Sequence, residues 1–269
     1  MINIVKISKI LDDIEDCVLR NKRFSLIRFN DGGLKVMDGI LSGDKYTKIV
    51  QGRKEGIPQN YFGELLSGWA KCANEANYID SPEHYFSTKS MSNRGKTDDR
   101  KWELLSRWKE LYTETGININ RDFCSPEAGL LLFLLNYEHN LLDLIRNMNV
   151  CCITNFYEIE RLLSDYVSKV DVKVIPSFFG NHYDVSFETI MNEIKEEATN
   201  YDLWLIGAGE LGRLYTGEIK RYGGRAVDIG KIFDSWIMKK LDKRLSMFAN
   251  YNVSEHRLLF KFNGDCSEI

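Results

Sequence analysis

Three glycines that follow an apolar segment form a pattern typical of phosphate-binding loops. Gly207, Gly209 and Gly212 have G-x-G-x-x-G spacing directly after the segment YDLWLI, and a predicted helix follows them. Glycines permit a tight turn and the close approach of a ligand, while the start of a helix offers unpaired N–H groups to an anion. The pattern therefore predicts a phosphate-binding loop that uses Gly207 and Gly209.

The ligand of this loop has three interpretations. NAD is favoured by Asp228, which ends the next predicted strand at about the 20-residue offset of a ribose-binding carboxylate. Dinucleotide sites normally use the first strand–helix–strand unit, however, and only one clear strand follows this loop. The phosphates of another nucleotide are the second interpretation. The third involves no ligand, because the glycines would only allow the helix and strand to pack closely.

Polar residues near the loop are candidates for binding and proton transfer. Arg213 lies in the first turn of the predicted helix and could bind phosphate. Glu210, in the same turn, could contact the nucleotide or accept a proton from a hydroxyl group, or it could simply favour the helix start. Asp228 and Asp234 are candidates for the general base, although Asp234 equally fits a helix cap. Asn155 closes another predicted strand, where it could contact the nucleotide or cap the next helix.

A second group of candidate residues follows the first predicted strand, in the segment LIRFNDGGLKVMDG. Ligands of α/β proteins bind where strands end, and here an arginine and a carboxylate, Arg28 and Asp31, reach that position. Arg28 could bind phosphate oxygens, and Asp31 could hold a divalent cation against a diphosphate. Asp31 could equally serve only to form a turn, since NDGG predicts left-handed backbone angles before a short helix.

Composition excludes several classes of protein. The chain has 269 residues, 43% of them apolar and 28% charged, which is typical of a globular protein. Its net charge of −3 argues against a general nucleic-acid binder. The 6 cysteines form no C-x-x-C pair, so we expect reduced thiols. The 4 histidines have no common spacing, which leaves a metal cluster or a Ser-His-Asp triad without support, although His182 follows a predicted strand and could line a pocket.

The N-terminal segment and the hydropathy pattern predict where the protein works. Acidic residues stand where a signal peptide would have its apolar core, and no window reaches the length of about 18 apolar residues expected of a membrane-spanning helix. We therefore expect no transmembrane segment and a cytoplasmic location, with binding to the inner face of the membrane as an open alternative.

The order of predicted elements indicates an α/β fold. In the second half, apolar segments alternate with helices of about ten residues, which implies crossover connections and a parallel sheet. The first half begins with an amphipathic helix at residues 4–18 and a buried strand at residues 24–29. Two further helices are predicted at about residues 61–77 and 98–115. We expect a Rossmann-like parallel sheet flanked by helices, with a helical insertion in the first half.

These segments together resemble a known family. The elements R-F-x-D-G after a strand at residues 24–32, and G-G-R-A-V-D-I-G followed by F-D-x-W at residues 223–236, are similar to those of the GT-D glycosyltransferases of bacterial surface-glycan and adhesin-glycosylation loci. The resemblance covers most of the chain in the order of its elements and is most specific at the two ends. It implies a single domain over residues 1–269, with the insertion at approximately 60–120 and Rossmann-like units at approximately 149–235.

The resemblance also implies an activity. Members of that family transfer a sugar from a UDP-sugar to a hydroxyl group of a glycan or glycoprotein, and their first turn carries an Asp-x-Glu motif that supports Mn²⁺ or Mg²⁺ and the sugar nucleotide. Asp31 matches the Asp, so that it becomes the candidate metal ligand and a catalytic residue, but Gly33 stands where the Glu is expected. Three outcomes follow: a neighbour such as Asp38 substitutes, the enzyme works without a tightly held metal, or activity is lost.

Three functions are therefore weighed. The first is a glycosyltransferase, in which Asp31, Asp228 and Glu210 are catalytic and the glycine loop contacts the donor. The second is an NAD-dependent oxidoreductase that uses the loop GAGELG. The third is a non-catalytic protein that binds a nucleotide-sugar. A homo-oligomer is compatible with the apolar segment after Pro126.

Overall fold

A parallel sheet forms the centre of the protein. The computed structural model describes residues 3–43, 56–81, 106–124, 141–176 and 181–241, without the side chains of residues 30, 31, 235 and 238–241. In these ranges seven strands, all parallel, lie in the order β3-β2-β1-β7-β6-β4-β5. Their bounds are β1 Phe24–Ile27, β2 Tyr78–Asp80, β3 Phe123–Cys124, β4 Asn149–Thr154, β5 Lys169–Val174, β6 Leu203–Ile206 and β7 Arg225–Asp228.

Helices cover both faces of this sheet. Their bounds are α1 Ile7–Leu19, α2 Asn30–Ser42, α3 Phe62–Glu75, α4 Trp108–Thr115, α5 Leu141–Leu144, α6 Glu158–Leu163, α7 Glu188–Glu197, α8 Gly212–Arg221 and α9 Ile232–Leu241. A 3₁₀ turn, Gln59–Tyr61, precedes α3, and a π-helical turn, Tyr183–Phe187, precedes α7. No helix among the described residues is long and apolar enough to cross a membrane.

The burial of the central strands on both faces is typical of a parallel sheet. Every residue of β1, β6 and β7 is buried, as expected of strands covered by helices on two faces. One apolar cluster packs under α3, α7 and α8, and a second packs under α1, α6 and α9. The prediction of a Rossmann-like parallel sheet flanked by helices is confirmed.

Two features of the first half differ from the prediction. The segment NDGG does not form a left-handed turn: it is the first turn of α2, Gly33 donates a hydrogen bond from its N–H to the carbonyl of Phe29 at 2.6 Å, and neither Gly32 nor Gly33 has a positive φ. The segment predicted as a helical insertion contains α3 and α4 in its described parts but also β2, which joins the sheet beside β1. Residues 98–105 and 125–140 and the tail after residue 241 lie outside the described part of the chain.

Candidate functional site

The carboxyl edge of the sheet, where the parallel strands end, brings several predicted site residues together. Ile27 pairs with Ile79 and Leu26 with Val227, so the residues that follow, Arg28, Asp80 and Asp228, reach the same edge from three neighbouring strands. Ile206 of β6 pairs with Asp228, which places the glycine loop on the other side of β7. Such an edge is the usual ligand site of an open α/β sheet.

Arg28 and Asp228 form the partly accessible centre of this edge. Arg28 is partly buried, and Asp228 is 8% exposed. The Oδ1 atom of Asp228 accepts a hydrogen bond from the N–H of Gly230 at 2.9 Å, and the Nη1 atom of Arg28 lies 3.0 Å from where a Cβ atom on Gly230 would stand. Gly230 has a φ of 56°. A side chain at position 230 would therefore displace the guanidinium group that lies beside the buried carboxylate.

Burial raises the pKa of Asp228 above its ordinary value. The positive charges of Arg28 and Arg213 and the N–H of Gly230 act in the opposite direction, and the negative charge of Asp80 adds to the increase. A carboxylate with a raised pKa accepts a proton more readily near neutral pH, which is the property that a general base requires.

Arg213 lies next to Arg28 and Asp228, and each nitrogen of its guanidinium group bonds to another protein group. Its Nε atom donates to the carbonyl of Arg28 at 2.9 Å, its Nη2 atom donates to the carbonyl of Phe29 at 2.9 Å, and its Nη1 atom forms an ion pair with Glu210. The guanidinium carbon lies 4.6 Å from the ring centroid of Trp69 and 5.2 Å from that of Phe29. Burial lowers the pKa of Arg213, but Glu210, Asp228 and Asp80 outweigh it and raise the pKa overall.

Asp80 is a buried carboxylate at this edge that the sequence analysis did not identify. Its Oδ1 atom accepts a hydrogen bond from the N–H of Phe29 at 2.7 Å and one from the hydroxyl of Tyr112 at 3.3 Å, and the side chain is fully buried. The same hydroxyl donates to the carbonyl of Asp80 at 3.0 Å. The sequence signal for Asp80 is the short segment YIDSP, in which the aspartate follows the apolar residues Tyr78 and Ile79. A strand of three residues is too short for its periodicity to be recognised.

The glycine loop after β6 packs mainly against protein. A Cβ atom at Gly207 would stand 2.5 Å from Cδ2 of Phe233 and 2.8 Å from the carbonyl oxygen of Gly230, so this glycine allows α9 to approach the loop. At Gly212 a Cβ atom would stand 3.2 Å from Cγ2 of Ile206, which fits close packing of α8 on β6. Gly209 is exposed and has a φ of 58°, so it alone of the three both requires glycine for its backbone and faces solvent. These contacts favour the close-packing interpretation for Gly207 and Gly212 and weaken the NAD interpretation.

The first turn of α2 does not fit the second carboxylate of a metal site. A Cβ atom on Gly33 would stand 2.9 Å from Nη2 of Arg213 and 2.9 Å from Cβ of Phe29, so a glutamate there would collide with a fixed guanidinium group. Asp38 lies about two helical turns after Asp31, and its Oδ1 atom is 3.6 Å from Nη1 of Arg107, so its substitution for the missing carboxylate stays a prediction. The side chain of Asp31 is not described, so its role as metal ligand stays a prediction.

The remaining candidates are placed as follows. Glu210 is 4% exposed, and its carboxylate pairs with Arg213, so its prediction as a proton acceptor is untested and its observed contact is structural. Asn155 is partly buried directly after β4. Asp234 is partly buried in the first turn of α9, and burial raises its pKa. His182 is 4% exposed, and its Nε2 atom lies 2.9 Å from the hydroxyl of Tyr215 on α8.

Comparison with known proteins identifies the fold. No protein-family model matches the chain, and no curated protein matches it significantly. Three solved structures are similar to it. A glycosyltransferase (DUF1792) from Streptococcus sanguinis is 17% identical with a TM-score of 0.55, over 99% of this chain and 96% of that one.

The other two are structures of the domain of unknown function 1792, and each is covered over 82% of its length by 89% of this chain. One is described as highly conserved and as having a distinct glycosyltransferase fold, with 15% identity and a TM-score of 0.55, while the second has 14% identity and a TM-score of 0.52. At identities this low, the comparison supports a similarity of fold alone. This fold is the one that the resemblance to the GT-D proteins implies. The chain has the glycosyltransferase fold of the DUF1792 domains.

Proposed function

We propose that the protein is a glycosyltransferase that moves a sugar from a nucleotide-sugar donor, with UDP-sugars favoured, to a hydroxyl group of a glycan or glycoprotein acceptor. The resemblance at the sequence level suggests bacterial surface-polysaccharide or adhesin glycosylation in the cytoplasm as its setting. The observation that carries the proposal is that Arg28 and the buried Asp228 both face Gly230 at the carboxyl edge of a glycosyltransferase fold: Nη1 of Arg28 lies 3.0 Å, and Oδ1 of Asp228 3.9 Å, from where a Cβ atom on Gly230 would stand.

Arg28 is proposed to bind the donor diphosphate. It stands at the end of β1 with a partly buried side chain, and its planar group of N–H donors matches phosphate oxygens in pairs. A guanidinium group in this place stabilises the negative charge that develops on the diphosphate as the bond to the sugar breaks. Asp31 in the first turn of α2, Asn155 after β4 and Gly209 at the exposed tip of the loop complete the proposed donor contacts.

Asp228 is proposed to accept the proton of the acceptor hydroxyl. As that proton moves to the carboxylate, the hydroxyl oxygen forms a bond to the anomeric carbon, and the bond from that carbon to the diphosphate oxygen breaks. The nucleoside diphosphate leaves with the electron pair of the broken bond. Burial of Asp228 supports this role, because it raises the carboxyl pKa toward working pH.

Ligand-dependent stabilisation tests the proposal. A ligand that binds only the folded state raises the melting temperature, so we expect a shift with UDP or another nucleoside diphosphate and none with NAD. The variant Arg28→Met is expected to lose most of this shift, whereas Arg146→Met, a substitution of an exposed arginine before β4, is expected to keep it. A shift with NAD alone would contradict the proposal, and binding of a nucleotide-sugar without any turnover would leave a non-catalytic binding protein.

A further inference from the structure

The backbone at the end of β1 is held by two buried charged side chains from distant parts of the chain. We define the β1–α2 junction as residues 28–33, which include both Arg28 and Asp31. Asp80 of β2 accepts from the N–H of Phe29, while Arg213 of α8 donates to the carbonyls of Arg28 and Phe29. Three backbone polar groups in two consecutive residues are thus bonded to side chains, and each bond spans more than 50 residues of sequence.

The two holding side chains are themselves fixed. Arg213 is 5% exposed, pairs with Glu210 and packs against the rings of both Trp69 and Phe29. Asp80 is fully buried and accepts from Tyr112. Charge-assisted hydrogen bonds in a buried setting are stronger and shorter than neutral ones. The position of the junction therefore depends on rigid groups rather than on mobile surface side chains.

Gly33 provides the space for this arrangement. The Nη2 atom of Arg213 lies 2.9 Å from the place where a Cβ atom on Gly33 would stand, and Cβ of Phe29 lies equally near. Contacts of that length are not tolerated, and the guanidinium group cannot withdraw without losing its bond to Phe29. Gly33 and Arg213 are thus a matched pair. With Arg213 in its observed position, no side chain fits at position 33, and this includes the glutamate of an Asp-x-Glu motif.

We propose that Arg213 and Asp80 are positioning residues, which act on the donor through the β1–α2 junction rather than by touching it, and that Gly33 is glycine to admit Arg213. This inference rests on the proposed function for its ligand, a nucleoside diphosphate. It assigns Arg213 to the placing of Arg28 instead of to phosphate binding, since its three guanidinium nitrogens already bond the carbonyls of Arg28 and Phe29 and the carboxylate of Glu210. It also explains why the second carboxylate of an Asp-x-Glu motif is absent here.

The chain offers a matched control for Arg213 at the opposite end of the sheet. Arg225 begins β7, is 3% exposed, and donates to the carbonyls of Asp202 at 2.6 Å and Tyr201 at 3.0 Å. It therefore shares the burial and the carbonyl bonds of Arg213 but lies far from the carboxyl edge. A purely structural effect should be equal in Arg213→Lys and Arg225→Lys.

Two readouts on the whole chain test the proposal. The first is hydrogen exchange of residues 28–34 without ligand, and the second is titration of UDP by calorimetry. We expect Arg213→Lys and Asp80→Asn to increase exchange in residues 28–34 by about tenfold or more relative to the rest of the core, and to weaken UDP binding by a similar factor. Arg225→Lys is expected to change neither the exchange of residues 28–34 nor the affinity for UDP.

Gly33→Ala separates the pair from general damage. We expect it to reproduce the local exchange of Arg213→Lys, whereas Gly63→Ala, where no atom lies within 4 Å of the added carbon, should leave it unchanged. Equal exchange and equal UDP affinity in the Arg213, Asp80 and Arg225 variants would overturn the positioning role. If the wild-type protein bound none of UDP, GDP and dTDP, the proposed function would fail, while exchange in residues 28–34 would still decide whether Arg213 and Asp80 hold the junction.

Discussion

The buried pair of His182 and Tyr215 gives a pH dependence of stability whose size follows from the structure. The imidazole is 4% exposed, and burial lowers its pKa from an ordinary 6.5 to about 4. Above pH 6.5 both the folded and the unfolded protein carry a neutral imidazole, so this residue adds no pH dependence there. Below 6.5 the unfolded chain binds a proton that the folded protein does not bind. Stability is therefore present at neutral pH and is lost as the pH falls toward 4.

The expected loss can be measured by urea unfolding. Linkage between a pKa of 6.5 in the unfolded chain and about 4 in the folded protein predicts a decrease in the free energy of unfolding of about 2.5 kcal/mol between pH 7.5 and pH 4.5. The variant His182→Gln keeps a hydrogen-bonding group beside Tyr215 but does not titrate. All other groups are common to both proteins, so the difference between the two pH profiles isolates His182. Parallel profiles from pH 7.5 to 4.5 would refute the reasoning.

Three further experiments test other parts of the structure. Removing the partner of the buried ion pair, in Arg213→Met, is expected to lower the free energy of unfolding by about 3–5 kcal/mol, and Glu210→Gln in the same chain should recover part of it; an additive urea-unfolding cycle would show that the two do not interact. Asp228→Asn removes a buried carboxylate. Because burial raises the pKa of Asp228, its ionised form costs stability as the pH rises, and we expect the variant to have equal or higher thermal stability. We also expect it to lose transfer activity by about 10²-fold or more in a UDP-release assay. A less stable but fully active variant would contradict this. Gly207→Ala places a methyl group against Phe233 and the carbonyl of Gly230 and should cost about 1–3 kcal/mol in the same unfolding assay, whereas an unchanged midpoint would show that the loop has room.

The sequence predicted those parts of the fold that depend on local pattern. Short strands between amphipathic helices were enough to identify β4 to β7 and their parallel arrangement: β4 and β6 are mainly apolar, while β5, KVDVKV, alternates valine with charged residues. Arg28 and Asp228 were predicted as site residues because each follows or ends an apolar strand, and their roles stay predictions. The carboxyl edge of a parallel sheet then brings such residues together without any further information.

The sequence could not predict the contacts that join distant segments. The strands β2 and β3 have three and two residues, and they are strands only because β1 and its neighbours offer hydrogen bonds to them. Arg213 was expected at phosphate, but its guanidinium group bonds a carbonyl 185 residues away. The segment NDGG has strong turn propensity, yet it forms the first turn of α2. Phe29 fixes this turn from both sides of its backbone: its carbonyl accepts a hydrogen bond from the N–H of Gly33, and its own N–H donates to Asp80.

Donor turnover tests the central claim most directly. The whole chain would be incubated with UDP-sugars and with GDP- and dTDP-sugars, and the released nucleoside diphosphate would be measured by mass spectrometry for the wild type, Arg28→Met and Asp228→Asn. We expect the wild type to release the nucleoside diphosphate from one class of donor, and we expect this release to fall by at least about 10²-fold in both variants. Release that is equal in all three proteins would contradict the assignment of the site to Arg28 and Asp228 at the carboxyl edge of the sheet.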